Sequence, residues 1–196
     1  IAKNLFLKYK ANGKKIALAH GVFDVIHLGH LDYFKEAKEI ADILVVSVTA
    51  DKFVDKGLSK PFFQERDRAY LLTALEMVDH VIINHHSDSS SLIHLIKPNF
   101  YVKGQDYKKK SGDIAGNLSK EKRAVIKNHG RIYFTSGRQH SSSKIINEKL
   151  DFLTELQKKY INKLKKSKSK VSLKKKFDEK QVARIFPSKA LDFFSP

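Results

Sequence analysis

The chain has 196 residues, 41% of them hydrophobic, which is enough for one domain with a real core and an appendage and excludes wholesale disorder. It contains no cysteine, which excludes disulfides, a thiolate zinc site and a cysteine nucleophile. The formal net charge of +17 favours an anionic partner, but ten lysines and no acidic residue lie between Gln157 and Lys176, a run typical of a solvated linker or tail.

Short apolar runs of strand length alternate along the chain with segments of helical spacing. The predicted strands are Ile16–Ala19, Ile43–Val48, Val81–Ile83, Phe100–Val102 and Ile132–Phe134. The predicted helices are His30–Ile40, Gln64–Met77, Ser89–Ile96 and Leu118–Asn128. This alternation predicts an α/β fold, a Rossmann-like doubly wound sheet of five parallel strands. Ligands of such sheets bind outside the carboxyl ends of the strands.

The C-terminal part of the chain differs in composition from the rest. Apolar residues from Ser141 onward predict a longer helix that ends in the Lys-rich segment. We therefore expect a domain at 1–150, a helix with a Lys-rich linker at 151–176 and a tail of unknown structure at 177–196. No run of 18 apolar residues and no signal peptide is present, so we expect a cytoplasmic protein without membrane contact. A chain that begins with Ile1 suggests a piece of a longer polypeptide.

The segment GVFDVIHLGH, residues 21–30, lies where the first predicted strand ends and a helix begins. Its two histidines, His27 and His30, admit three interpretations: structural histidines in a turn, metal ligands, or phosphate-binding groups. Neither an H-E-x-x-H pattern nor nearby thiols support a metal. Phosphate binding fits because a glycine lets the backbone approach an anion, the helix N-terminus offers N–H groups, and imidazoles add donors.

The segment GVFDVIHLGH resembles the HxGH motif of the cytidylyltransferase-like nucleotidyltransferases. Three further segments resemble that family in the same order: KGLSKPFFQERDRAYLLTALEMVDHVI, KPNFYVKGQDY and SSSKII. The resemblance extends from Ile16 to Asn147 and is strongest to the adenylyltransferase domain that acts on heptose 1-phosphate (ADP-heptose synthase). The chain differs from relatives at Gln105, which replaces a glycine, in a longer loop with the sequence KKKSGDIAGN, and at His20, where relatives have Asn or Tyr. These differences leave the sugar and the base open.

The resemblance implies transfer of a nucleotidyl group from a nucleoside triphosphate to a phosphorylated sugar, which forms a nucleotide sugar and pyrophosphate. It implies that the catalytic residues on the phosphates are His27, His30, Lys56 and Arg68. The implied nucleotide-binding residues are Gly21, Val22, Phe23, Gly29, Lys103, Gly104, Asp106, Ser141, Ser142 and Ser143. Asp24 and Asp51 are implied to contact the acceptor substrate, although Asp24 equally fits a role in ordering the turn.

The resemblance also implies a cofactor and partners. Mg²⁺ is expected, because a triphosphate needs its charge neutralised, and the sequence offers no dedicated acidic cage for it. A homodimer is expected, and a sugar kinase is expected as a fused or separate partner, in which case the Lys-rich segment is an interdomain linker. Nucleic acid is not the expected partner.

Alternatives to a heptose-phosphate adenylyltransferase stay open. One alternative is a cytidylyltransferase that uses CTP instead of ATP and acts on a polyol phosphate such as glycerol phosphate. A class I aminoacyl-tRNA synthetase also has an HxGH-type motif, but KSKSK at 166–170 lies in a lysine tract and the chain is short for that class. A non-catalytic nucleotide- or RNA-binding module is the alternative of another class. His85, His86 and Asp88 fit a metal cluster and a polar loop equally well.

Overall fold

The computed structural model describes residues 2–54, 61–108 and 117–136. Its strands are β1 (Ile16–Gly21), β2 (Ile43–Thr49), β3 (His80–Asn84), β4 (Phe100–Lys103) and β5 (Arg131–Phe134). Its α-helices are α1 (Ala2–Ala11), α2 (Leu28–Glu39), α3 (Glu65–Thr73), α4 (Ser90–Ile96) and α5 (Leu118–Lys127). Short 3₁₀ helices follow β2 and β4, at Asp51–Phe53 and Gln105–Lys108.

The five strands form one sheet in the order β3-β2-β1-β4-β5, and every neighbouring pair is parallel. The chain adds β2 and β3 on one side of β1 and then crosses to add β4 and β5 on the other. The strand order therefore reverses between β1 and β4, which opens a crevice at their carboxyl ends. The predicted α/β fold with a doubly wound, five-stranded parallel sheet is confirmed.

Apolar side chains cover both faces of the sheet, as the continuous hydrophobic strands predict. On one face the buried residues of α2 and α3, among them Phe34 and Leu72, pack on alternate residues of β1 and β2. On the other face, α1, α4 and α5 contribute the buried residues Phe6, Leu92, Ile93, Ile96, Ala124 and Val125. The two faces of the sheet therefore supply the core, and the predicted ligand site lies at the carboxyl ends of the strands.

Two helices differ from the predicted elements. Helix α1 is absent from the prediction, and Phe6, which is 3% exposed, anchors it in the core. Helix α3 ends at Thr73 instead of Met77.

The start of β3 is fixed against β2 by Asp79. The Asp79 carboxylate accepts hydrogen bonds from the backbone N–H of Leu44 at 2.7 Å and from Lys38. The predicted helix after Ser141, the linker and the tail lie outside the described residues.

Among the helices of residues 2–54, 61–108 and 117–136, none has the length and the apolar composition of a membrane span.

Candidate active site

The turn between β1 and α2 has an unusual backbone at Phe23, whose φ angle is +51°. This left-handed conformation is uncommon for a bulky residue. It folds the Phe23 ring back over Gly21, where an added Cβ would lie 3.1 Å from the Phe23 Cζ. The same buried ring packs against Phe34 on α2, with centroids 5.2 Å apart. Gly21 therefore allows Phe23 to join the turn to the helix behind it.

The predicted phosphate-binding histidines lie at the start of α2. His27 occupies the N-cap position, and His30 follows in the first turn of the helix, where its N–H donates to the His27 carbonyl at 2.8 Å. Their rings stack with centroids 3.9 Å apart and planes inclined by 16°. The rings of Phe23 and His30 pack edge to face, with their centroids 5.3 Å apart. Both imidazoles thus stand beside the N–H groups of a helix N-terminus, a site that favours anions.

Asp24 ties this turn to the segment that precedes α3. Its Oδ1 accepts hydrogen bonds from the backbone N–H groups of Phe62 at 2.7 Å and Phe63 at 3.0 Å. The side chain is 4% exposed, and its Oδ2 is buried without a hydrogen-bond partner in the described part of the chain. Of the two roles that the sequence left open for Asp24, the ordering of the turn is visible directly in these bonds.

Arg68, the predicted phosphate ligand of the central segment, is completely buried. Its guanidinium donates to three backbone carbonyls, those of Phe63 at 2.9 Å, Thr49 at 2.8 Å and Val22. It also forms an ion pair with Asp51 at 2.5 Å. Arg68 therefore joins the ends of β1 and β2 to α3, and this position makes it part of the framework beneath the turn.

Asp51, predicted to contact the acceptor, takes part in a reciprocal cap as well as in the ion pair with Arg68. The N–H of Asp51 donates to the Glu65 carboxylate at 2.8 Å, and the N–H of Glu65 donates to the Asp51 carboxylate at 3.0 Å. This exchange satisfies an N–H donor at the start of α3. Lys56, between these two residues, lies outside the described residues.

The carboxyl end of β4 holds the predicted nucleotide-binding residues Lys103, Gly104 and Asp106. Lys103 is 5% exposed, and its ammonium group pairs with Glu121 of α5 at 3.0 Å. Gly104 leads into the 3₁₀ helix Gln105–Lys108, where the N–H of Tyr107 donates to the Gly104 carbonyl at 3.1 Å. Asp106 lies in this helix, and its side chain is outside the description. Glu121 had no place among the predicted site residues.

His20, at the end of β1, belongs to a polar group on the sheet face opposite α2. Its Nδ1 lies 2.9 Å from the Ser47 hydroxyl, and its Nε2 lies 3.5 Å from the Thr49 hydroxyl. Burial and the positive charge of Lys103 lower the pKa of His20 from 6.5 to about 4. The imidazole is therefore neutral at pH 7. The sequence marked His20 only as a difference from relatives.

The chain after β5 is tied to α2 by Glu36. Its carboxylate accepts hydrogen bonds from the backbone N–H of Ser136 at 2.9 and 3.1 Å. Ser136 precedes the serine run predicted to bind phosphates, and Ser141, Ser142 and Ser143 lie outside the described residues. The bond fixes Ser136, the last described residue, against α2.

The polar loop after β3 is organised by its own hydrogen bonds. Asp88 Oδ1 accepts from the N–H of Ser90 at 2.8 Å, and Asn84 donates to the carbonyls of His86 and Asp88. Burial alone would raise the pKa of Asp88, but the Ser90 N–H and the charge of Lys120 lower it. Within the described ranges, no group of three or more His, Asp or Glu side chains could hold a metal ion.

Comparison with known proteins places these residues in a family. Residues 18–148 match the family model described as Cytidylyltransferase-like. This range begins in β1 and includes the turn with His27 and His30, Arg68, the end of β4 and the serine run.

Several curated proteins are similar to this chain. Bifunctional protein HldE from Nitratiruptor sp. is 43% identical over 115 residues, which cover 58% of this chain and 25% of that protein. Bifunctional protein HldE from Aliarcobacter butzleri is 41% identical over 117 residues, which cover 59% of this chain and 24% of that protein. The chain therefore spans about a quarter of the length of these relatives.

A solved structure shares the fold. The lipopolysaccharide core biosynthesis protein from Thermoplasma volcanium superimposes with a TM-score of 0.54 and is 32% identical. The match covers 65% of this chain and 100% of that one.

Proposed function

Because this chain belongs to the cytidylyltransferase-like family, we propose that it is a nucleotidyltransferase that transfers a nucleotidyl group from a nucleoside triphosphate to a phosphorylated sugar. The single observation that carries the proposal is the stacked pair His27 and His30 at the N-terminus of α2. The pair adjoins the crevice where the strand order reverses, a place where open α/β sheets bind nucleotides.

The proposed reaction requires little acid–base chemistry from the protein. An oxygen of the acceptor phosphate attacks the α-phosphorus of the triphosphate and forms a new P–O bond. The bond between the α-phosphorus and the oxygen that bridges to the β-phosphate breaks, and its electron pair leaves with pyrophosphate. A phosphate monoester is largely ionised at pH 7, since its second pKa is about 6, so no strong base is required. Positioning and charge stabilisation supply most of the catalysis.

His27 and His30 are suited to the charge that develops on the α-phosphoryl oxygens. Imidazole N–H groups donate hydrogen bonds, and the N–H groups of the first turn of α2 add further donors. Donors that are already fixed in place stabilise a transition state without reorganising. Phe23 gives the pair this rigidity, because its ring packs against both His30 and Phe34.

The carboxyl end of β4 is suited to the base and ribose. Lys103 directs its ammonium group to Glu121, so we assign the nucleotide contacts here to the backbone around Gly104 and to the 3₁₀ helix Gln105–Lys108. Contacts to backbone groups do not require particular side chains, so they cannot be identified from the sequence. This is why the sequence does not decide between ATP and CTP.

Mg²⁺ is proposed to reach the site bound to the triphosphate. Mg²⁺ is held in such sites by one or two carboxylates and by substrate phosphate oxygens, rather than by a cage of protein ligands. The ion would neutralise charge on the triphosphate, while His27 and His30 act on the α-phosphoryl group.

ATP and heptose 1-phosphate are the substrates that we propose first. Support comes from the similarity of KPNFYVKGQDY to the heptose-phosphate adenylyltransferases and from relatives called Bifunctional protein HldE. The chain spans about a quarter of those bifunctional proteins, which is compatible with a sugar kinase as fused or separate partner. We propose the kinase partner and a homodimer on the same grounds of similarity.

A pyrophosphate-release assay tests the proposal. ATP, CTP, GTP and UTP are each combined with a panel of sugar 1-phosphates, including heptose 1-phosphate, and of polyol phosphates. We expect release with ATP and a sugar 1-phosphate. Release only with CTP and a polyol phosphate would establish the cytidylyltransferase alternative. Salt-dependent RNA binding without any pyrophosphate release would favour a binding module instead.

A further inference from the structure

Glu121 is a buried carboxylate on α5 that reaches the carboxyl edge of the sheet. It is 2% exposed. Its Oε2 pairs with the ammonium group of Lys103 at 3.0 Å, and its Oε1 accepts a hydrogen bond from the Ser89 hydroxyl at 2.9 Å. The backbone N–H of Ser89 also donates to Oε1, at 3.3 Å. One side chain therefore links three elements: α5, the end of β4 and the N-terminus of α4.

The network continues from Ser89 and Lys103 into β4 and the turn that follows it. The Ser89 hydroxyl lies 2.7 Å from the hydroxyl of Tyr101, which is fully buried. The Lys103 ammonium group lies 4.8 Å from the ring centroid of Tyr101 and 4.8 Å from that of Tyr107. Tyr107 belongs to the 3₁₀ helix Gln105–Lys108. Lys103 thus connects Glu121 to the turn assigned above to the nucleotide.

The charge on Glu121 is retained in spite of its burial. Burial by itself would raise the pKa of Glu121, but the positive charge of Lys103 and hydrogen bonds from Lys103 and Ser89 lower it. A buried ion pair is rarely more stabilising than apolar side chains of the same volume, whereas the loss of one partner leaves a costly unpaired charge. A contribution to stability therefore does not explain why Glu121 and Lys103 are charged. The fixed position that the pair gives to the Lys103 side chain does explain it.

We propose that Glu121 is a positioning residue for nucleotide binding. It holds the Lys103 side chain inward, against Tyr107, so that the backbone of residues 104–108 keeps one conformation at the sheet edge. In this arrangement Lys103 supports the turn from inside the protein and does not bind the triphosphate directly. This inference rests on the proposed function for its kinetic consequence, and on the geometry alone for its effect on the turn.

The substitution Glu121→Gln tests the proposal, because glutamine keeps the size of the side chain and removes its charge. The matched control is Glu76→Gln, an exposed glutamate after α3. We expect Glu121→Gln to raise the KM for the nucleoside triphosphate about tenfold or more, the size of a lost charged hydrogen bond, with kcat little changed. Hydrogen exchange of the backbone amides of residues 104–108 should become faster, and Glu76→Gln should change neither quantity.

A second variant separates positioning from stability. The double substitution Lys103→Met with Glu121→Leu removes both charges and retains apolar volume, so the midpoint of thermal unfolding should recover toward that of the wild type. If the pair positions the turn, the raised KM and the fast exchange at 104–108 persist in the double variant. Should Glu121→Gln itself fail to fold, the double variant still provides both measurements.

Three results would overturn the proposal. The first is an unchanged KM with unchanged exchange at 104–108 in Glu121→Gln. The second is exchange that accelerates uniformly along the chain, which indicates a stability effect only. The third is a KM that rises in Glu121→Gln and returns to the wild-type value, together with stability, in the double variant. Absence of pyrophosphate release by the wild type would instead refute the proposed function, and the exchange measurement would still decide the role of Glu121 in the turn.

Discussion

Arg68 and Asp51 form an ion pair at 2.5 Å in which the arginine side chain is fully buried and the aspartate is partly exposed. The remaining contacts of Arg68 are backbone carbonyls at the ends of β1 and β2 and before α3. The pair therefore lies under the candidate active site and determines how the surrounding segments meet. A guanidinium suits this task, because its planar fork offers five donors in fixed directions.

Removal of Arg68 should destabilise the fold more than it weakens phosphate binding. We expect Arg68→Met to lower the free energy of unfolding by about 3–5 kcal/mol, because Asp51 and three carbonyls lose their donor. Urea denaturation measures the loss. Arg66→Met, an exposed neighbour on the same helix, should change stability by less than about 0.5 kcal/mol. Stability equal to the wild type with a raised KM for the triphosphate would instead identify Arg68 as a phosphate ligand.

Loss of either histidine at the start of α2 should reduce turnover without unfolding the protein. We expect His27→Ala and His30→Ala to lower kcat by about 10²–10³-fold, the effect of removing one fixed donor to a developing oxyanion. Steady-state pyrophosphate release measures kcat, and circular dichroism verifies the fold. His85→Ala, in the exposed loop after β3, is the control. Wild-type turnover in both variants would contradict the catalytic assignment.

Two substitutions of Asp24 separate its structural and substrate roles. Asp24→Ala removes the acceptor for Phe62 and Phe63, and we expect a loss of about 1–3 kcal/mol and faster amide exchange at these two residues. Asp24→Asn keeps an oxygen acceptor and loses the charge. If the buried Oδ2 also receives a hydroxyl of the acceptor substrate, Asp24→Asn raises the KM for the sugar phosphate and leaves that for the triphosphate unchanged. Equal changes in both KM values would argue against an acceptor contact.

The neutral His20 should make the fold sensitive to mild acid. The pKa of His20 is about 4 in the fold and 6.5 in its absence, so the stability that depends on the neutral ring is fully present above pH 6.5. It is lost as the pH falls from 6.5 toward 4, by at most about 3 kcal/mol. The facing groups Glu121 and Asp88 also have lowered pKa values, so they add their own loss only at the lower end of this range.

Denaturation curves of the wild type and His20→Asn between pH 7 and pH 5 test this dependence. The variant should lose less stability over that interval, because asparagine does not titrate. An identical pH dependence in the two proteins would show that His20 does not control it.

Local patterns in the sequence predicted much of the fold. All five strands were predicted near their observed positions, because each contains a short apolar run, mostly buried in β1, β2 and β4 and partly buried in the edge strands β3 and β5. The turn with His27 and His30 was also predictable, because its glycine, its histidines and the helix start lie within ten residues. Helix α1 was missed, since its anchoring depends on a distant partner: Tyr9 bonds to His80, 71 residues along the chain.

The class of the fold, the family and the segment proposed to bind phosphate could be predicted from the sequence, because these depend on patterns that are local along the chain. The contacts of the buried charges became known from the three-dimensional structure. Arg68 donates to four acceptors in three separate segments, Glu121 joins α5 to Lys103 and Ser89, and Glu36 accepts hydrogen bonds from Ser136, 100 residues away. From sequence alone, a charged side chain is predicted to be exposed, because burial without a partner is costly. The partner that permits burial becomes known only when the chain has folded.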